Sequence, residues 1–108
     1  MKFNKLVDLI GNTPLVEAQN LVPNKNVKLL LKLEGNNPGG SVKDRAAYNM
    51  IASALASGAI QKGDKLIEAT SGNTGIALAM IAQVLNIDIE LVLPENSTKE
   101  RTQTMRAY

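Results

Sequence analysis

The sequence predicts an α/β fold: a mostly parallel sheet with helices on both faces. Three observations lead there. Segments with the two-residue period of strands alternate with segments at helical spacing, in the order strand, helix, strand, helix, strand, helix. Parallel strands in that order are joined by right-handed crossovers. The two glycine-rich stretches, 35–40 and 70–75, both fall where a strand turns into a helix, the place where open α/β sheets bind ligands. Finally, no apolar run approaches the roughly 20 residues needed to cross a bilayer, so the periodic segments belong to a packed core.

The elements follow in order. Ile10 to Val16 reads as a turn leading into a short extended segment, because Pro14 cannot sit inside a helix. Pro23 to Asn26 forms a polar turn. From Val27 to Glu34 the pattern alternates, with Val27, Leu29, Leu31 and Leu33 on one face and Lys28, Leu30 and Lys32 on the other, which predicts a strand with one face buried. After the 35–40 loop, Ser41 is a helix N-cap, and Asp44 lies in the first turn, where the helix dipole favours an anion. Ala47, Met50, Ile51, Ala54 and Leu55 form a core stripe that stops at Gly58. Lys65 to Thr70 is a short strand. Ile76 to Leu85 is apolar nearly all round, as a buried helix would be. Ile87, Ile89, Leu91 and Leu93 alternate as a third strand before Pro94, and Ser97 or Thr98 caps a last helix still running at Tyr108.

Composition narrows the chemistry. The 108 residues hold one domain at most, or part of a larger one, with 44% apolar and 20% charged side chains. Phe3, Tyr48 and Tyr108 are the only aromatics and the formal charge is +2 without a dense basic run. Nucleic acid and anionic membranes are therefore poor partners. Without cysteine or histidine, thiolate or imidazole metal sites and imidazole catalysis are absent, so acid–base work falls to Lys, Asp, Glu or Tyr. The first residues lack the apolar core of a signal peptide, which makes the cytoplasm the default location.

Neither glycine-rich loop fits a common phosphate fingerprint. G-x-G-x-x-G is absent, and Ser41-Val42 stands after Gly40 where a P-loop needs Lys-Ser/Thr. The plain alternative is two connecting loops, with Ser41, Ser71 or Asn73 as caps and Lys43 a solvated residue, since caps and turns of this composition are routine in α/β domains. Lys43 fits that alternative poorly. A cation in the first turn opposes the helix dipole at a cost of roughly 0.3–1 kcal/mol. The same position, with partial burial, favours the neutral amine, the better nucleophile and imine former.

Asn37-Pro38-Gly39-Gly40-Ser41-Val42-Lys43-Asp44-Arg45 and Glu68-Ala69-Thr70-Ser71-Gly72-Asn73-Thr74-Gly75-Ile76-Ala77, with Ile10 to Leu15 before them and Met105 to Tyr108 after, strongly resemble the cysteine synthase family, and most of all its B type (O-acetylserine sulfhydrylase B). The resemblance covers nearly the whole chain, and two long motifs in the right order make it specific. It implies part of a pyridoxal-phosphate fold type II (tryptophan synthase β-like) enzyme. By the same resemblance Lys43 is the catalytic lysine that carries pyridoxal 5'-phosphate. Thr70, Ser71, Gly72, Asn73 and Thr74 bind the substrate carboxylate, and Asn73 also binds the cofactor. No metal is implied. The reaction would be β-replacement on O-acetylserine by sulfide or thiosulfate, giving L-cysteine, in a cytoplasmic homodimer. Alternatives are a cystathionine β-synthase-like enzyme, whose family shares both motifs, and a non-catalytic truncated binding module.

In that family the loop that cradles the cofactor phosphate, and the serine facing the pyridine nitrogen, lie beyond the residues matched here. The expectation is therefore an N-terminal fragment, incomplete for catalysis alone. Residues 1–40 would pack on a larger domain and 41–108 would form most of a smaller, mobile one.

Overall fold

A computed structural model describes residues 3–108. Its elements are β1 (Leu15–Glu17), β2 (Leu30–Lys32), α1 (Lys43–Ser57), β3 (Lys65–Ala69), α2 (Asn73–Leu85), β4 (Asp88–Val92) and α3 (Lys99–Ala107), with short 3-10 turns at Leu6–Leu9, Gln19–Leu21 and Glu34–Asn36.

β3 and β4 pair in parallel, Lys65 opposite Asp88 through Ala69 opposite Val92, with α2 as the crossover between them. Alternation divides the side chains of this sheet. Leu66 and Ile89 turn towards the core cluster. On the other face, Ile67 and Val92 stay exposed and Lys65 meets Glu90 at 3.6 Å. Among the described residues the helices pack against the inner face.

The strand expected at Val27–Glu34 is shorter and differently paired. β2 runs antiparallel to β1, Leu15 opposite Lys32, in a sheet of its own. Bonds from Ala18 N–H to the Leu29 carbonyl and from Leu33 N–H to the Pro14 carbonyl extend the ladder at both ends. All residues of both strands are exposed, so the buried face expected there is not found. The molecule is elongated, 55 Å in its longest direction, with a radius of gyration of 16.8 Å, against about 13 Å for a compact chain of 100 residues.

The core lies between α1, α2 and the inner face of β3–β4. Ala47, Ile51, Ala77, Leu78, Met80 and Ile81 form it, joined by Val7 from the first 3-10 turn. Met80 and Ile81 are fully buried, each contributing about 1.5–3 kcal/mol of hydrophobic stabilisation. α2 is buried from Ala77 to Ala82, as its apolar sequence predicts. It begins at Asn73, three residues before the apolar run. α1 stops where expected: Gly58 takes a left-handed conformation, φ 75°, which glycine adopts without strain. Thr98 holds the N-cap position of α3.

Two helices therefore share one direction. β3 and β4 are parallel, so α2 runs back from the carboxyl end of β3 to the start of β4. α1 ends near that same start: Leu55 of α1 and Leu85 of α2 line one cavity with the 61–64 turn. Since α1 and α2 pack side by side, both begin at the carboxyl edge of the sheet.

Candidate active site

Lys43 and the 70–74 loop each stand at a helix start on that carboxyl edge. Lys43 is the first residue of α1 and is exposed, so the partial burial anticipated for it is not present. Ser41 serves the helix start through its side chain, with Lys43 N–H donating to Ser41 Oγ at 3.1 Å. Among the described residues no carboxylate pairs with the Lys43 amine. Asp44, next along, turns the other way. It is fully buried and accepts the Gly39 N–H at 2.5 Å. Its second oxygen has no partner among the described residues, and burial pushes the Asp44 carboxyl above its ordinary value, opposed by the Gly39 bond.

The second loop carries its polar groups differently. Thr70 N–H continues the sheet by donating to the Val92 carbonyl at 2.9 Å. The hydroxyls of Thr70, Ser71 and Thr74 and the amide of Asn73 make no side-chain hydrogen bond among the described residues. Ser71 and Asn73 are exposed, and Thr70, Gly72 and Thr74 are half-buried. Gly72 occupies the N-cap of α2 without a side chain to cap it, which leaves the first-turn N–H groups free of a side-chain acceptor. α3 supports the loop from behind. Arg101 donates to the Ser71 carbonyl at 3.0 Å. Met105 is buried, and a Cβ on Gly75 would stand 2.7 Å from its Cε and 2.5 Å from Thr70 Cγ2.

A polar cluster that the sequence did not disclose lies just before Lys43. The Glu34 carboxylate accepts four hydrogen bonds: from Thr13 Oγ1 (2.6 Å) and Arg45 Nη2 (2.9 Å) on one oxygen, and from Arg45 Nε (2.8 Å) and Asn37 Nδ2 (3.0 Å) on the other. Arg45 Nη2 also donates to Thr13 Oγ1 at 3.2 Å, and Gly11 N–H donates to Asn37 Oδ1 at 2.8 Å. The Arg45 guanidinium first, then the Thr13 hydroxyl, hold the Glu34 carboxyl down at about 2, and the carboxylate in turn raises Arg45 above its already high value. Gly11 sits at φ 85°, where an added Cβ would stand 3.0 Å from Arg45 Nη1. Thr13 and Asn37 are buried polar residues, yet beside Gly11, Pro14 and Pro38 they read only as turn formers. The one available signal is their place in the two motif segments.

The donor set at the edge suits pyridoxal phosphate. It offers a primary amine with no salt-bridge partner among the described residues, and hydroxyl and amide groups without side-chain hydrogen bonds there. A helix start without a side-chain cap is suited to an anionic group. No group of His, Cys, Asp and Glu that could hold a metal occurs among the described residues.

Comparison with known proteins agrees with this chemistry. The family profile described as pyridoxal-phosphate dependent enzyme matches residues 6–108. The chain is 57% identical over 106 residues to cysteine synthase B of Salmonella typhimurium, covering 98% of this chain and 35% of that protein. It is 54% identical over 108 residues to cysteine synthase B of Pseudomonas syringae pv. syringae, covering 100% of this chain and 64% of that one. The crystal structure of a hydrogen sulfide-producing enzyme from Fusobacterium nucleatum superposes with a TM-score of 0.90 at 49% identity, over 100% of this chain and 35% of that one. The chain thus spans between about a third and two thirds of the length of these relatives. Matched over nearly its whole length, it belongs to the family of pyridoxal-phosphate dependent enzymes.

Proposed function

We propose that this chain supplies the lysine and the substrate-carboxylate loop of a cysteine synthase, an enzyme that exchanges the acetate of O-acetylserine for sulfide or thiosulfate to give L-cysteine. The observation that carries the reading is that a lysine amine without a salt-bridge partner among the described residues and a helix start without a side-chain cap share one edge of the sheet.

Each residue has a stated task. Lys43 holds the cofactor through its amine nitrogen, and Asn73 donates to the cofactor's ring oxygen. Thr70, Ser71, Gly72, Asn73 and Thr74 hold the substrate α-carboxylate with hydroxyls and first-turn N–H groups, aided by the positive end of α2. When bound, pyridoxal phosphate accepts the electron pair left on the substrate α-carbon. The Lys43 amine would take the proton from that carbon and later return it, so one nitrogen would serve as anchor, base and acid. Its exposure at the helix start gives it room to move between these roles.

The remainder of the site lies in the part of the enzyme that these 108 residues do not span. Exposed Leu15, Val16, Leu21 and Leu30 support the reading that residues 1–40 pack on a larger domain while 41–108 form most of a smaller one. No helix among the described residues is long and apolar enough to cross a membrane. A homodimer working in the cytoplasm completes the proposal, on the resemblance of the motifs.

Borohydride reduction of the full-length enzyme, followed by peptide mass mapping, tests the reading. The cofactor mass is expected on Lys43. Attachment at another lysine, or a visible absorption band that survives Lys43→Ala, sinks it.

A further inference from the structure

The two residues after Lys43 are both committed to partners that lie earlier in the chain, in the 35–40 loop or before it. Asp44 reaches back to the Gly39 N–H, and Arg45 reaches back to Glu34 and Thr13. Successive residues on an α-helix leave it about 100° apart. Fixing the directions of Asp44 and Arg45 therefore fixes the direction in which Lys43 leaves, and that is outward, on the exposed side.

Glu34 is the centre of this arrangement. Its four donors come from three separate stretches: the turn before β1, the loop before α1, and α1 itself. Two donors belong to one guanidinium. That fork constrains the orientation of Arg45 as well as its distance, which a single contact could not do. The side chain of Glu34 is 22% exposed and that of Arg45 40%, so the pair is partly solvated and its value lies in the geometry of the fork more than in charge attraction. Asn37 ties the same carboxylate to the Gly11 N–H through its other end.

We propose that Glu34 and Arg45 are positioning residues for Lys43: their forked pair, seated on Thr13 and Asn37, aims the lysine amine at the reacting carbon by fixing the first turn of α1. The proposal rests on the reading of Lys43 as the cofactor lysine. It adds that the aim is set from outside the helix as well as within it, by Thr13, Glu34 and Asn37 acting on Arg45.

The test uses the full-length enzyme with Glu34→Gln, Arg45→Lys and Thr13→Val. Glu34→Gln keeps size and removes the charge that the fork needs, while Arg45→Lys keeps the charge and removes the fork. Both are expected to lower kcat about tenfold with KM for the amino-acid substrate within about twofold, the signature of an interaction that matters in the transition state. Amide exchange in the cofactor-free protein should rise across residues 38–46 in both. Thr13→Val, the mildest change, covers the case in which the others do not fold, and should lower kcat about threefold. Variants that melt earlier yet keep kcat within twofold overturn the proposal, as does a full rescue of kcat by Arg45→Lys. A change confined to KM also overturns it, because it would assign the pair to substrate binding. Failure of the Lys43 reading itself shows separately, as borohydride labelling of a different lysine in the unmutated enzyme.

Discussion

The two loops at the carboxyl edge of the sheet have similar compositions and opposite constructions. The loop before α1 is fastened by its own side chains: Asn37 is buried and bonded at both ends, Gly39 N–H is held by Asp44, and Glu34 gathers four donors beneath it. The loop before α2 leaves its hydroxyls and amide without side-chain bonds among the described residues and is supported from behind, by Arg101 on the Ser71 carbonyl and by Met105 behind Gly75. The first consumes its polar groups to fix a backbone. The second keeps them available. Under the proposed function, a loop that holds an anchoring lysine and a loop that binds a ligand would make those different demands on the same residue types.

Substitutions at matched positions can break the comparison. Asn37→Ala strands the Gly11 N–H and removes a donor from Glu34, so unfolding free energy should fall by about 3 kcal/mol. Asn73→Ala should change it by no more than about 0.5 kcal/mol while lowering cofactor retention in the full-length enzyme. Equal losses of stability at the two positions would erase the distinction. Among the glycines, Gly39→Ala drives a Cβ into the Asp44 carboxylate and should cost about 2 kcal/mol. At Gly72 the nearest atom to an added Cβ is Arg101 Cζ at 4.0 Å, so alanine there should cost no more than about 0.5 kcal/mol. Denaturant unfolding reads all four.

Acid sharpens the contrast with a smaller effect, and only the first loop should respond. Glu34 is depressed from 4.5 to about 2, so its contribution is fully present above about pH 4.5 and is lost as pH falls towards 2. Asp44 is raised above 3.8. The folded state therefore favours its protonated form, and stability from this group declines as pH climbs from 3.8 through the raised value. Melting temperatures across the acid range should show Glu34→Gln flattening the loss on the acid side and Asp44→Asn flattening the decline on the other. A Glu34→Gln curve parallel to the unmutated one would mean that the carboxylate is not held down by Arg45.

Much of this was legible in the sequence, for identifiable reasons. Lys65–Ala69, the buried run of α2 and the stop at Gly58 follow from local periodicity and from a residue that accepts positive φ. The placing of both helix starts, Lys43 and Asn73, at one edge of the sheet follows from strands alternating with helices. Pairing was not legible. The alternation of Val27–Leu33 marks a strand but says nothing of its neighbour, and β1, only three residues long, takes it antiparallel. The early start of α2 was hidden because Asn73, Thr74 and Gly75 are loop formers by composition; Gly75 belongs in the helix since no side chain fits between Thr70 and Met105. The Glu34 cluster leaves no periodic trace at all, its members being spread from Gly11 to Arg45.

Ala47 and Ala77, both with 0% exposure in the cluster between α1 and α2, carry a consequence for the edge above them. Two helices packed through methyl groups lie close, and a larger side chain at either position would wedge them apart along their length. The spacing of the two helix starts at the carboxyl edge is therefore gauged by two of the smallest side chains in the chain, neither of them polar. Whatever those starts hold is set apart by calibre as well as by chemistry.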